Sequence, residues 1–181
     1  MPVALYTFGM FSRPSAAPEN DGFHARNDRN FRAAEAASGF LGRSGYAGEP
    51  GPSSWGPQVW PRFYTERGDG WSPATLSLWE SPEAALAFTY RAAIHREAMA
   101  RGREWFETPA WPPFVFWWVA GGHVPDWAEG VARLEQLADH GPGPGAFGGR
   151  PLFDAAGAPC GQDTALLARH ARANETRLAG L

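Results

Sequence analysis

Four side chains in this sequence combine the types and spacing that acid–base chemistry on a small molecule requires: Tyr90, Arg91, His95 and His123. The first three fall in a stretch, 81–107, that reads as one long helix. Ser81 is a hydroxyl cap, Pro82 suits the first helical position, and Pro109, Pro112 and Pro113 forbid continuation. At about 100° per residue, Phe88, Ala92, His95, Met99 and Phe106 share a narrow arc, flanked by Arg91 and Trp105. His95 is therefore expected to face inward with Arg91 one turn away. Desolvation and like charge would both disfavour its protonated form, leaving a neutral base of the kind that abstracts a proton from a phenol or an α-carbonyl carbon. The same position equally suits a core histidine bonded to a backbone carbonyl. Tyr90, at the edge of the arc, is either a packing or capping hydroxyl or an acid.

The second informative stretch is Phe114–His123, FVFWWVAGGH. A short apolar strand here puts Trp117 and Trp118 on opposite sides, as adjacent strand residues must be. Trp79, Trp105, Trp117, Trp118, Phe88 and Met99 are the expected substrate-binding walls, with packing as their other role. His123 follows Gly121-Gly122 at the strand end and is either a second acid/base or a residue that ties the next helix entry. Glu80, Asp126 and Glu129 have no metal-ligand spacing with the histidines, and no metal site is expected. The glycine-rich stretch 141–149 has neither a GxGxxG pattern nor a following Lys-Ser/Thr, so phosphate binding has no support there.

These groups need a scaffold, and 181 residues suffice for one domain with a full core. The formal charge of −3 offers no footprint for nucleic acid or an anionic membrane. All sixteen basic residues are arginine, which excludes Schiff-base chemistry on a lysine. The single cysteine, Cys160, cannot form an internal disulfide or a cysteine metal cluster. MPVALYTFGMF alternates like a strand rather than a leader, and the longest apolar run is far too short to span a bilayer; a cytoplasmic protein is expected. Strands are predicted at 3–11, 39–46, 58–66, 73–80, 114–120 and, shorter, 150–153. Helices are predicted at about 20–37, 81–107, 125–140 and 164–178. Strands and helices are intermixed with consecutive strands joined by short connections, which is α+β with a mainly antiparallel sheet. Both faces of that sheet are apolar or aromatic. Helices covering one face would leave the other to a second copy of the sheet, in a homodimer, or to the C-terminal helix. The expected division is an α+β barrel domain, 1–158, and a C-terminal helical extension, 159–181.

LSLWESPEAALAFTYRAAIH, then REWFE, a tryptophan pair before GGHVP, and a helix ending in HGPGPGAF together resemble an uncharacterised bacterial domain family (domain of unknown function 3291). NFRAAEAASGFLGRSG is similar to that family's first helix and second strand, so the resemblance covers most of residues 3–153. It implies a ferredoxin-like dimeric α+β barrel of the antibiotic-biosynthesis-monooxygenase type. That superfamily holds cofactor-free oxygenases of aromatic polyketides, haem enzymes, small isomerases and non-enzymatic members. The expected function is a cofactor-free oxygenase or an isomerase/cyclase acting on a hydrophobic, aromatic small molecule. His95 would be the base, Arg91 and Tyr90 the substrate anchors, and His123 a second acid/base. The alternatives are a non-catalytic ligand-binding dimer and a haem protein.

Overall fold

A computed structural model describes residues 1–181. Four strands, β1 (Val3–Phe8), β2 (Phe40–Arg43), β3 (Ala74–Trp79) and β4 (Phe114–Trp118), form one antiparallel sheet in the order β2-β3-β1-β4. Helix α1 (Asp21–Ala36) joins β1 to β2, and α2 (Pro82–Arg91) begins the return from β3 to β4. The register pairs Val3 with both Trp79 and Trp118, so the chemistry-bearing aromatics stand in one row across the sheet. The chain is thus a mixed α+β fold, and none of its helices is long and apolar enough to cross a membrane.

Local signals start and stop most elements where expected. The Ser81 hydroxyl accepts from the Ala84 amide at 3.2 Å, with Pro82 as the first residue of α2. The Asp126 carboxylate accepts from the Glu129 amide at 2.8 Å and opens α5 (Trp127–His140), which Gly141 ends at φ 73°.

The expected single helix over 81–107 is instead three: α2, α3 (Ala93–Ala100) and α4 (Gly102–Trp105). Ala92 is extended at ψ 127°, and its amide reaches back to the carbonyls of Ala87 and Phe88. The redirection carries α3 across α1, where Arg26 donates to Glu97 at 2.9 Å, and lays Trp105 against Phe23 with 2% exposure. A straight continuation would forgo both contacts.

The expected strand at 58–66 is absent. Pro61 removes a ladder donor from its middle, and the Tyr64 amide closes a turn onto the Pro61 carbonyl at 2.8 Å. Trp60 then stacks on Tyr64 with ring centroids 5.2 Å apart, so the two lie on one side because the chain turns, not because it alternates.

Helices cover both faces of the sheet, not one. On the first face Val3, Leu5, Trp79 and Phe116 pack with Ala33 and Ala37 of α1 and with Ala84, Ala85 and Phe88 of α2. On the second face Ala4, Tyr6, Phe8, Leu76, Val115 and Trp117 meet Trp127, Leu134 and Leu137 of α5. Tyr46, Trp55, Trp60, Phe63 and Trp111 extend that cover from the long connection between β2 and β3 and from the one before β4. The open sheet face that motivated a sheet-to-sheet dimer is therefore filled by the chain's own aromatics. The C-terminal helix α6 (Thr164–Arg177) takes no part in this cover and packs on α2. β5 (Leu152–Phe153) and β6 (Pro159–Cys160) form a small antiparallel pair that straddles the expected domain boundary at 158/159.

Gly130 shows how tightly α5 sits. A Cβ there would stand 2.9 Å from the Tyr6 ring, which has no exposed surface. Gly130→Val is expected to cost about 1–3 kcal/mol through overpacking, read as a lower urea midpoint at unchanged slope.

Candidate functional site

Helix α2 presents Leu86 from its middle and Tyr90 and Arg91 from its last turn to a cleft of about 370 Å³. Phe114 at the start of β4, Gly149 and Arg150 from the following loop, and Gln162 and Leu167 around the start of α6 complete its wall. A second hollow of about 350 Å³ adjoins it through Gly149, Arg150 and Gln162 and runs on to Leu152, Cys160 and Thr164. The lining sets the apolar side chains of Leu86, Phe114 and Leu167 beside two guanidinium groups, a phenol and an amide. Neither Arg91 nor Arg150 forms an ion pair or a side-chain hydrogen bond within the chain. Tyr90 is 44% exposed, and its partial burial raises the hydroxyl above its usual range. Burial, followed by the Asp154 and Glu83 carboxylates, likewise raises the Cys160 thiol.

The cleft depends on α6 being held in place. The Asp163 carboxylate caps the helix by accepting from the Ala165 and Leu166 amides at 3.0 and 2.9 Å, while the Asp163 amide donates to Glu83 of α2 at 3.0 Å. Farther along, His170 Nδ1 lies 3.0 Å from the Ser38 hydroxyl, and Asn174 Oδ1 accepts from the Ser38 amide at 2.7 Å. His170 and Asn174 are 4% and 2% exposed, so the turn between α1 and β2 is bolted to α6 through buried polar contacts.

The structure brings Tyr90 and Arg91 together at the cleft and leaves His95 elsewhere. His95 sits half-buried at the helix break, its Nδ1 3.1 Å from the Thr89 carbonyl and its ring 5.1 Å from Phe88. That geometry makes the imidazole a donor to a carbonyl the broken helix would otherwise leave unpaired. Burial lowers its pKa, and the Thr89 hydrogen bond opposes the shift; Arg91 has no share in it.

His123 is exposed on the far side of the sheet, with Nε2 2.7 Å from Glu129 Oε2. The other oxygen of Glu129 accepts from the Trp117 indole at 2.8 Å and faces Arg133 at 3.5 Å. The tryptophans do not gather around one hollow. Trp79 is buried on the first face, donating to Ser77 at 2.9 Å and stacked on Phe88. Trp105 packs between Phe23 and the guanidinium groups of Arg26 and Arg101. Trp117 is buried in the second face, while Trp118 donates to the Phe153 carbonyl at 2.7 Å. Met99 is 45% exposed and Phe88 is buried. No three His, Cys, Asp or Glu side chains converge as metal ligands would.

Arg150, Gln162, Leu167 and the His170–Ser38 pair escaped sequence reasoning. Arg150 carried a weak signal, since it stands in a glycine-rich loop with no acidic residue within three positions. His170 lies mid-helix on α6, in a stretch that reads as an arginine-bearing surface helix.

Two imidazoles whose pKa is lowered by desolvation, the half-buried His95 and the buried His170, predict a pH dependence. Burial lowers the pKa of His170 below 6.5; Arg169 adds to this, and Glu80, Glu83 and the Ser38 contact oppose it. His95 is shifted the same way. Both are neutral in the fold and protonate more readily when unfolded, so their stabilisation is complete above pH 6.5 and lost as pH falls through the lower folded-state values. Urea midpoints are expected to fall on acidification below that point. His170→Gln should flatten the trend; an unchanged slope would place His170 outside it.

A family model described as "Domain of unknown function (DUF3291)" matches residues 2–162, and the chain belongs to that family. No curated protein and no solved structure matches the chain. The matched region ends just before α6.

Proposed function

We propose that this member of the DUF3291 family is a small-molecule-binding protein whose ligand lies in the cleft between α2, the 149–151 segment and α6. The observation that carries this reading is the convergence of Tyr90, Arg91, Arg150 and Gln162 with Leu86, Phe114 and Leu167 around one cleft. A few polar groups around an apolar hollow are what fixes the orientation of a small ligand. The β-α-β-β-α-β order supports a ferredoxin-like description and kinship with the antibiotic-biosynthesis monooxygenases. The aromatic cover of the second sheet face weighs against the barrel-forming dimer of that group.

Acid–base turnover of an aromatic substrate is the second reading, and the 2.7 Å His123–Glu129 pair favours it, because a carboxylate-oriented imidazole is general-base geometry. That pair lines neither hollow of the cleft. Native mass spectrometry of freshly purified protein tests the first reading. A bound small molecule should be present in the wild type and missing from Leu167→Trp, whose indole fills the cleft. The same adduct retained by the variant would contradict it.

A further inference from the structure

We infer that the ligand of this cleft is an organic anion, an apolar body bearing a carboxylate or similar oxyanion, with Arg91 and Arg150 as its counter-charges. The inference deepens the small-molecule reading and rests on it. Seven arginines, Arg26, Arg43 and Arg62 among them, are engaged by the chain's own carboxylates; of the others, which include Arg32, Arg96, Arg103 and Arg172, only Arg91 and Arg150 line the cleft. Arg91 and Arg150 come from segments about sixty residues apart, border one hollow, and have no such partner. No Asp or Glu lines either of the two adjoining hollows. In a chain of formal charge −3 this is a local excess of positive charge with room beside it. Arg91, in the last turn of α2, also complements the carbonyl end of that helix. Arg150 lies in a loop and has no such role, so the helix end does not account for the pair.

The chemistry of the remaining wall agrees. Guanidinium groups recognise carboxylates through parallel N–H donors. The Tyr90 hydroxyl, protonated at neutral pH as a phenol is, adds a third donor, and the Gln162 amide a fourth. Leu86 and Phe114 take the apolar body. The second hollow gives room for a longer molecule to pass Arg150 toward Cys160.

The probe pair is 1-naphthoate and its uncharged analogue 1-naphthamide. Binding of each compound to the full chain is read by isothermal titration calorimetry. Naphthoate should bind about tenfold or more tighter than the amide, the scale of a charge-assisted contact. Raised salt should erode the advantage, because these charges are exposed. Arg91→Gln with Arg150→Gln should abolish the preference; both side chains are exposed, so a wild-type melting temperature will show that the fold is intact. Equal affinity for acid and amide, unchanged in the double variant, would overturn the anion and leave the cleft reading standing. Binding of neither compound would overturn the cleft reading and the inference with it.

Discussion

Trp127→Ala is expected to destabilise the protein by about 3–5 kcal/mol, the range for deleting a fully buried tryptophan side chain. Trp127 opens α5 with no exposed surface; its ring meets Tyr6 edge-on at 6.3 Å and stacks on Tyr46 at 5.6 Å. Its indole N–H lies 3.3 Å from the Ser54 hydroxyl. One side chain therefore joins α5, the central strand β1 and the long connection between β2 and β3. Against a typical domain stability of about 5–15 kcal/mol this is a large fraction, and a melting temperature lower by about 10 °C should result. The measurement also tests the closure of the second sheet face. If another copy supplied that closure, the loss would depend on protein concentration; closure by the chain itself predicts a loss independent of it.

Truncation after Asp163 is the second large effect. It removes Leu167 from the cleft wall and His170 and Asn174 from Ser38. Burying a leucine side chain contributes about 1.5–3 kcal/mol and each net hydrogen bond about 1 kcal/mol, so a loss of about 4 kcal/mol is expected. The truncated chain should also fail to bind 1-naphthoate, because one wall of the cleft is gone. Full stability and full binding in the truncated chain would show α6 to be an appendage. This helix lies beyond the region matched by the family model, so the truncation separates what the shared domain does from what this chain's own C-terminal segment adds.

The parts of the fold that were legible in sequence are those set by local chemistry. Ser81-Pro82 and Asp126 start helices, Gly141 ends one, and the alternation in Val3–Phe8 and Phe114–Trp118 sets two strands and their faces. The break at Ala92 was not legible. No proline or glycine lies between Pro82 and Gly102, and an alanine-rich run favours a straight helix, so only tertiary contacts with α1 bend it. Residues 58–66 misled through period-two aromatics, although Pro61 in their middle argued against a central strand. The cover of the second face comes from Tyr46, Trp55, Trp60 and Trp111, whose positions near β1 are set by chain reversal and not by periodicity.

The candidate site divides the same way. Tyr90 and Arg91 were visible because one helix carries both, whereas Arg150, Gln162 and Leu167 reach them from segments distant in sequence. The histidine that best fits an acid–base role on a helical wheel, His95, was placed by assuming a helix that does not continue. His95 and the tryptophans read as architecture in the structure: a carbonyl ligand at a bend, a stack on Phe88, a cation-faced plug over Phe23. What is left open to a ligand is the less aromatic and more basic hollow beside them.

Chemical-shift mapping of ¹⁵N-labelled protein titrated with 1-naphthoate tests the central claim most directly. Perturbations are expected to concentrate at Tyr90, Gly149, Gln162 and Leu167, around the cleft. Perturbations centred instead on His95 and Trp105, or on His123 and Glu129, would contradict that claim.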